Sequence, residues 1–444
     1  MFNFNPNFYS DVRIVDSFST KIIFKKGVME NYNVQKELRA FIRVFDGKLW
    51  YYTSTSDVKN IDKELQNLYK QGTPNPDIAN DPIVKRFETH VCNKMIFDKN
   101  SVRNISKEQK IAIVQKNAEI YKNDLISYLE YYYLDKSDNY HFYSSKGSDI
   151  QHDYQHCGFG YNYNITDGKE HFKGRFQVGK NYFDELVYFE KEQKEELERS
   201  IDYVLHAEPC EKGYFPVVLS PVVAGVFAHE SFGHKSEADF MIGDETMRKE
   251  WALGKKVGSD ILSIYDYGGN MGTGYCLFDD EGTMTQKTYL IRNGALTGRL
   301  HMGTTAADLD EDLTGNARAI NCKFEPVVRM TSTVIDGGDK TFDELIAGIK
   351  DGYYIHEYSH GSGMTQFTIA PSMAFRIRNG KIDKPAKVSV ITGNVFETLG
   401  LIDGLSKDSK VCSSITGGCG KMEQFPLHVS FGGPYVRISK MNIQ

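Results

Sequence analysis

The chain has 444 residues, 40% of them hydrophobic and 25% charged, with a net charge of −6; the composition is that of an ordinary globular protein, and the length suffices for two domains or more and a sizeable core. The mild acidity offers no basic face for nucleic acid or an anionic membrane, and no apolar run approaches the roughly 18–20 residues of a membrane span. Seven scattered cysteines, and a start (MFNFNPNFYSDVRIVD) with no basic-then-apolar signal, read as reduced thiols in a cytoplasmic protein.

With 27 tyrosines and 27 phenylalanines the chain is expected to be rich in sheet. Period-two alternation predicts strands in TKIIFKKG (20–27) and RAFIRVFDGKLWYYTSTS (39–56), with Asp46-Gly47 as a hairpin turn. NIDKELQNLYKQG (60–72) has Ile61, Leu65 and Leu68 at helical spacing and Gly72 as a stop. The proline-rich stretch 71–83 reads as a loop or linker. Ser106 and Gln109 form a capping box, and the helix they start is expected to continue through IAIVQKNAEIYKNDLISYL (111–129). Residues 131–180 alternate again as strands. A charged helix is expected over about 183–205, its KEQKEE run forming a solvated face.

The texture changes near 205–215. Beyond it lie two hairpin signals, Asn293-Gly294 and Asn379-Gly380, and a short helix in TFDELIAGIKDG (341–352) capped by Thr341 and Glu344. We therefore expect an α+β fold of two domains. Residues 1–208 would form an N-terminal domain of sheet and helices. Residues 209–444 would form a C-terminal, largely antiparallel β domain carrying the helix discussed next.

Two histidine motifs compete for attention. HEYSH (356–360) has the letters of a zinc-protease HExxH. That motif works only on a helix, where residues i and i+4 lie about 40° apart on one face. Here an aromatic, strand-like run precedes it and Gly361-Ser362-Gly363 follows. In an extended chain His356 and His360 would lie about 13 Å apart, too far to share one ion; the segment is expected to be a surface or cleft-lining loop. HESFGH (229–234) follows LSPVVAGVFA (219–228), in which Ser220 is an N-cap, Pro221 sits at N1 and the helix is apolar all round, hence buried. Burying Glu230 and two imidazoles without partners is costly, and a metal bound by His229 and His234 removes the difficulty. The spacing opposes this, since five residues at α-helical pitch turn the rings about 140° apart. A π-bulge repairs the misfit, as does an opening of the last turn at Gly233. On spacing alone, a helix end with two satisfied histidines stands as an equal reading. The cluster HDYQHC, with His152, His156 and Cys157, sits in strand-like sequence and reads as structural.

HESFGH together with Glu237-Ala238-Asp239 resembles the HExxxH segment of the TldD/PmbA metalloproteases. FDDEGTMTQKTYLIRNGALTG (278–298), TGNAR (314–318), RMTSTVIDGG (329–338) and GGCGKMEQ (417–424) match further segments of that family in the same order; the first half of the chain is similar only in texture. The resemblance implies a zinc-dependent peptidase with one zinc per chain, held by His229, His234 and Cys419. The glycines flanking Cys419 suit a loop that approaches another element closely, and a thiolate is a sound zinc ligand. Three protein ligands leave one position open for water, and Glu230 would be the general base that takes its proton. Glu237 reads first as a helix-surface carboxylate and second as a group orienting His234. Asp280, Glu281 and Arg329 fall in family motifs without a role to assign. The family implies small or unfolded peptides as substrates, and a homodimer or a heterodimer with a related family subunit. It also contains members that have lost the metal motif, so the alternative reading is a non-catalytic peptide-binding or maturation subunit with a structural zinc.

Overall fold

Long runs of alternating side chains build the first sheet. Its strands are β1 (Tyr9–Lys25), β2 (Val28–Phe45), β3 (Trp50–Thr55), β4 (Val91–Lys94), β5 (Ile126–Ser144), β6 (Asp149–Thr166) and β7 (His171–Lys180) in a computed structural model that describes residues 2–363 and 365–444. The spatial order is β3-β2-β1-β5-β6-β4, with β7 also on β6. All pairs are antiparallel except β4 with β6. Helix α1 (Ile61–Tyr69) buries Ile61, Leu65 and Leu68 against Val12, Ile42 and Val44 of this sheet. Helices α2 (Lys107–Ala118) and α3 (Glu190–His206) cover a second apolar layer that includes Ile22, Tyr133 and Phe159.

The second sheet has twelve strands. At its centre β8 (Gly213–Leu219) runs parallel to β9 (Asp351–Gly363) and antiparallel to β11 (Ser430–Ile443), while β10 (Gln366–Arg378) flanks β9 on the other side. β8 leads directly into helix α4 (Pro221–Ala228), whose residues 223–228 are all buried. The fold is α+β with two domains, and the C-terminal one is largely antiparallel. No helix of the described residues is long and apolar enough to cross a membrane.

Local signals translate well where a side chain makes a bond within its own turn. Ser106 and Gln109 form the reciprocal capping box, as do Thr341 and Glu344. Asn293-Gly294 and Asn379-Gly380 adopt the paired positive φ of tight hairpin turns. The helix from Ser106, however, ends at Ala118 rather than near 129. The Asn123 side chain accepts from the Leu125 N–H at 2.9 Å, an Asx turn, after which the aromatic alternation of β5 takes over. The charged helix begins at Glu190, with a 3₁₀ turn over Phe183–Val187 before it. The stretch 71–83, inside the first domain, is a loop with a 3₁₀ turn at Ile78–Asn80, except that Pro82 and Ile83 open a short helix, Pro82–Arg86, capped by Asp81. HEYSH is strand, not loop: β9 continues through Gly361 and Gly363, paired to β10 with three register shifts between Ile355 and His360.

Helix α4 lies close on β11. A Cβ added at Gly225 would stand 2.4 Å from the Gly432 backbone nitrogen, and backbone cannot yield as a side-chain tip does. Gly225→Ala is therefore expected to cost about 1–3 kcal/mol as overpacking. Gly400→Ala, where nothing lies within 4 Å, should fall within about 0.5 kcal/mol of the parent; urea unfolding midpoints of the two variants compare them.

Candidate metal centre

Ser220 caps α4, its hydroxyl accepting from the Val223 N–H at 3.3 Å and donating to the His356 carbonyl at 2.7 Å. The helix start is thereby tied to β9. At its other end the chain widens into a π-turn over His229–Gly233, and the His234 N–H bonds the His229 carbonyl. This i to i+5 bond absorbs the surplus residue of HESFGH. The two imidazoles then meet, with ring centroids 5.0 Å apart and planes at 77°. Gly233 is required by the packing: a Cβ there would lie 2.1 Å from the Met330 sulfur. Phe232 stacks on Trp251 below the turn, and the Ser236 hydroxyl donates to the Phe232 carbonyl.

Cys419 approaches from a hairpin of Cys419–Lys421 and Gln424–Leu427, in which it pairs with Leu427. Its Sγ lies 3.4 Å from His234 Nε2, and the candidate donor atoms of His229, His234 and Cys419 all fall within 4.8 Å of one another. Tetrahedral zinc, with bonds of ~2.0–2.3 Å, separates its ligands by roughly 3.3–3.8 Å. His229 Nδ1 is buried without a hydrogen-bond partner among the described residues. Burial by itself raises the Cys419 thiol, but the adjacent His229 and His234 outweigh it and hold the thiol well below its ordinary value. Burial likewise opposes a charge on His234; hydrogen bonds with Cys419 and Glu237 reverse this and raise it to about 10. A buried thiolate beside two imidazoles is a donor set suited to a borderline-soft divalent cation, so the residues present fit zinc.

Glu237 is fully buried, contrary to its first reading as a helix-surface carboxylate. Its Oε2 lies 3.5 Å from His234 Nδ1 and 2.9 Å from Lys421 Nζ. Burial raises its carboxyl, and the His234 contact and the Lys421 charge bring it below the usual value. Lys421 also donates to Asp239 at 2.7 Å and to the Val328 carbonyl at 2.8 Å. Arg329 holds the hairpin from behind, donating to the Cys419 carbonyl at 2.7 Å. Sequence reasoning missed Lys421 and left Arg329 without a role. Asp280 and Glu281 lie elsewhere and join the two domains, Asp280 to Arg13 at 2.5 Å and Glu281 to Arg43 at 2.9 Å.

Glu230 is half-buried and lies against bare backbone. A Cβ on Gly361 would approach its Cγ to 3.3 Å, and one on Gly363 its carbonyl to 3.0 Å. The Phe431 ring stands 6.1 Å from His229, and Tyr358 packs on Phe431 at 6.3 Å. Both aromatics also line a cavity of about 370 Å³ between the domains, with Arg175 and Glu196 on the opposite wall. His356 borders this cavity and is held by Glu196 and the Tyr354 hydroxyl, each at 3.0 Å. His360 is exposed on the same strand; neither joins the ligand cluster. His152, His156 and Cys157 lie along β6, outside that cluster too.

The sequence profile of the PmbA/TldA metallopeptidase C-terminal domain matches residues 212–444, and that of PmbA/TldA metallopeptidase domain 1 matches residues 10–72. A metalloprotease of Methanocaldococcus jannaschii is 30% identical over 445 residues, covering 97% of this chain and 95% of its own length. A Saccharolobus solfataricus protein named as a zinc metalloprotease TldD homolog is 32% identical over 251 residues, covering 56% of this chain and 55% of its own. Among solved structures, TldE from Thermococcus kodakarensis matches with a TM-score of 0.76 at 16% identity, over 98% of this chain and 96% of that one; at that identity the likeness is one of fold.

Removing the Lys421 ammonium takes from buried Glu237 its 2.9 Å ion pair and leaves it only the 3.5 Å contact with His234. Lys421→Met is expected to lower stability by about 3–5 kcal/mol, the usual effect of breaking a buried pair from one side. Asp403→Asn, at the exposed Arg437–Asp403 pair, should change it by less than about 1 kcal/mol. Thermal and urea unfolding of the two variants, side by side, measure the contrast.

Proposed function

The chain belongs to the PmbA/TldD metallopeptidase family, and from that premise we propose that it is a zinc-dependent peptidase holding one ion per chain on His229, His234 and Cys419. The observation that carries this reading is the convergence of the three donor side chains across a π-turn and a distant hairpin. When bound, zinc supplies Lewis acidity toward a peptide carbonyl and lowers the pKa of water toward ~7.

The remaining work falls to the chain's own groups. Glu230 takes the proton of the attacking water on a carboxylate oxygen and returns it to the leaving amine. Glu237 fixes the ring orientation of His234, and Lys421 keeps Glu237 ionised in a buried setting. Phe431 and Tyr358 shield the centre from bulk water. Beyond Ile355 the edge of β9 facing away from β10 has no strand partner among the described residues. That edge runs past Glu230 at Gly361 and Gly363, which supports the entry of a small or unfolded peptide as an added strand. His356, on the cavity wall, would then border the peptide.

We also read the chain as one subunit of a dimer, with a second copy or a related family subunit as partner. Strand β2 pairs with β3 only over residues 40–45. Its outer half is an open edge on which Tyr32, Val34 and Leu38, respectively 43%, 39% and 46% exposed, present apolar side chains. Leu38→Lys together with Val34→Lys is expected to shift the protein from dimer to monomer mass in light scattering; an unchanged dimer would remove β2 from the interface.

Glu230→Gln is expected to lower peptide cleavage by about 10²–10⁴-fold, the range of general base catalysis, while metal content stays at one ion per chain. Cys419→Ala should lose the ion. Cleavage at the parent rate in Glu230→Gln returns the chain to the alternative, a non-catalytic peptide-binding or maturation subunit with a structural zinc. Stoichiometric metal in Cys419→Ala would dissolve the proposed centre itself.

A further inference from the structure

A second cavity, of about 220 Å³, lies between the first sheet and the C-terminal domain, against Leu427 and His428 next to the Cys419 hairpin. Its walls carry polar groups whose bonding is incomplete. Asp138 is 1% exposed. One of its oxygens, Oδ2, accepts from Lys136 Nζ at 2.8 Å, while Oδ1 has no partner among the described residues. His428 Nδ1 is also buried and unpartnered there.

Arg318 is 7% exposed and donates only to the carbonyls of Met330 and His428, at 2.5 and 3.0 Å. It can donate five hydrogen bonds, and among the described residues no carboxylate lies within ion-pair distance. An uncompensated buried guanidinium is costly. The other acids on the walls are already engaged. Asp280 pairs with Arg13, and Asp153 accepts from the backbone N–H groups of Ile96 and Phe97. The His152 ring, stacked on Tyr140 at 4.7 Å, is neutral, since burial lowers it to about 4.

An unpaired guanidinium and an unpaired carboxylate oxygen in one small cavity are the complement of a ligand with an anion at one end and a cation at the other. The volume lies below the ~300–1,000 Å³ of drug-sized pockets, which limits that ligand to a few heavy atoms beyond its charged ends. We propose that this cavity binds a small zwitterion, a free α-amino acid or a dipeptide, with its carboxylate on Arg318 and its ammonium on Asp138 Oδ1. The ligand class is that of a peptidase product, but the site is separate from His229, Glu230 and His234, and the inference rests on the cavity alone. Through Arg318 and the His428 carbonyl the ligand would bear on the strand paired to Cys419.

Calorimetric titration of the metal-loaded Glu230→Gln chain tests this, with three probes: alanine, alanylalanine and N-acetyl-alanylalanine amide. One of the two zwitterions should bind, identifying the fitting length, and the blocked peptide should bind at least about tenfold more weakly, as the loss of charge-assisted bonds implies. Asp138→Asn and Arg318→Gln should each weaken the zwitterion by about tenfold or more, whereas His229→Ala should not. Three results would overturn the proposal: equal binding of the blocked peptide, no zwitterion binding up to about 10 mM, or loss of binding in His229→Ala, which would move the ligand to the metal centre. Should a cavity variant fail to fold, the blocked and unblocked peptides on the unchanged cavity still decide. None of these results depends on peptide hydrolysis, so failure here leaves the proposed function standing, and failure of hydrolysis leaves this site standing.

Discussion

One surplus residue in a helical turn governs the geometry of this protein's candidate centre. At regular pitch His229 and His234 would point about 140° apart, and no divalent ion could bridge them. The bond from the His234 N–H to the His229 carbonyl stores the extra residue in a π-turn. Such a turn persists only where its surroundings hold it. Here the buried run Val223–Ala228 fixes one end. The pairing of Leu300 with the backbone of Ser236 and Ala238 fixes the other. Phe232 on Trp251 fills the space below, and the bare Cα of Gly233 lets Met330 close the side. The irregularity is therefore imposed by packing on all sides and presents two imidazoles to one point.

The charges around that point alternate. The Cys419 thiol, held low by its histidines, meets His234; His234 meets Glu237; Glu237 meets Lys421. Lys421 and Cys419 belong to one hairpin, and His234 and Glu237 to one turn. Each half thus contributes one anion and one cationic or protonatable group, and each group faces its opposite across the gap. Slipping the hairpin by two residues would carry Lys421 into the place of Cys419, beside His234, and take from Glu237 its lysine partner. The register of hairpin and turn is consequently specified electrostatically as well as sterically, and Arg329 on the Cys419 carbonyl adds a backbone anchor from the opposite side.

Much of this was legible in sequence wherever the cause is local. The Ser220-Pro221 cap, the apolar run after it and the six-residue HESFGH together imply a buried helix with a distorted end. The Asn-Gly hairpins and both capping boxes need only neighbours within four residues. Glu237 was misread because its partner Lys421 is 184 residues away, and nothing at helical spacing around 237 signals burial. Arg329 took no role for the same reason, its acceptor lying 90 residues on. The helix after Ser106 was overextended because the Asn123 turn is a single side-chain bond set between two apolar stretches. Gly361-Ser362-Gly363, directly after HEYSH, reads as a breaker and so suggests a loop. Pairing to β10 offsets the poor strand propensity of Gly361 and Gly363, and the closeness of Glu230 explains why no larger residue stands there.

The motif FDDEG shows how the two domains share this construction. Asp279 turns the segment by accepting from the N–H groups of Glu281, Thr283 and Ala317. Its two neighbours then point to the first sheet, Asp280 to Arg13 on β1 and Glu281 to Arg43 on β2. Arg43 is balanced by Asp11 as well, and Glu281 by the Gly303 N–H, so the buried charges are paired on both sides of the interface. A solvent-exposed motif of three acids would contribute little; here desolvation makes each unpaired member costly and each pairing specific. At the other end of the interface His356 joins β9 to Glu196 on α3; the KEQKEE run keeps Lys191 and Lys194 in solvent, as expected, while Glu195 and Glu196 line the larger cavity. The N-terminal domain therefore supplies part of the wall of both cavities, and a C-terminal domain on its own would leave Asp280, Glu281 and His356 without Arg13, Arg43 and Glu196.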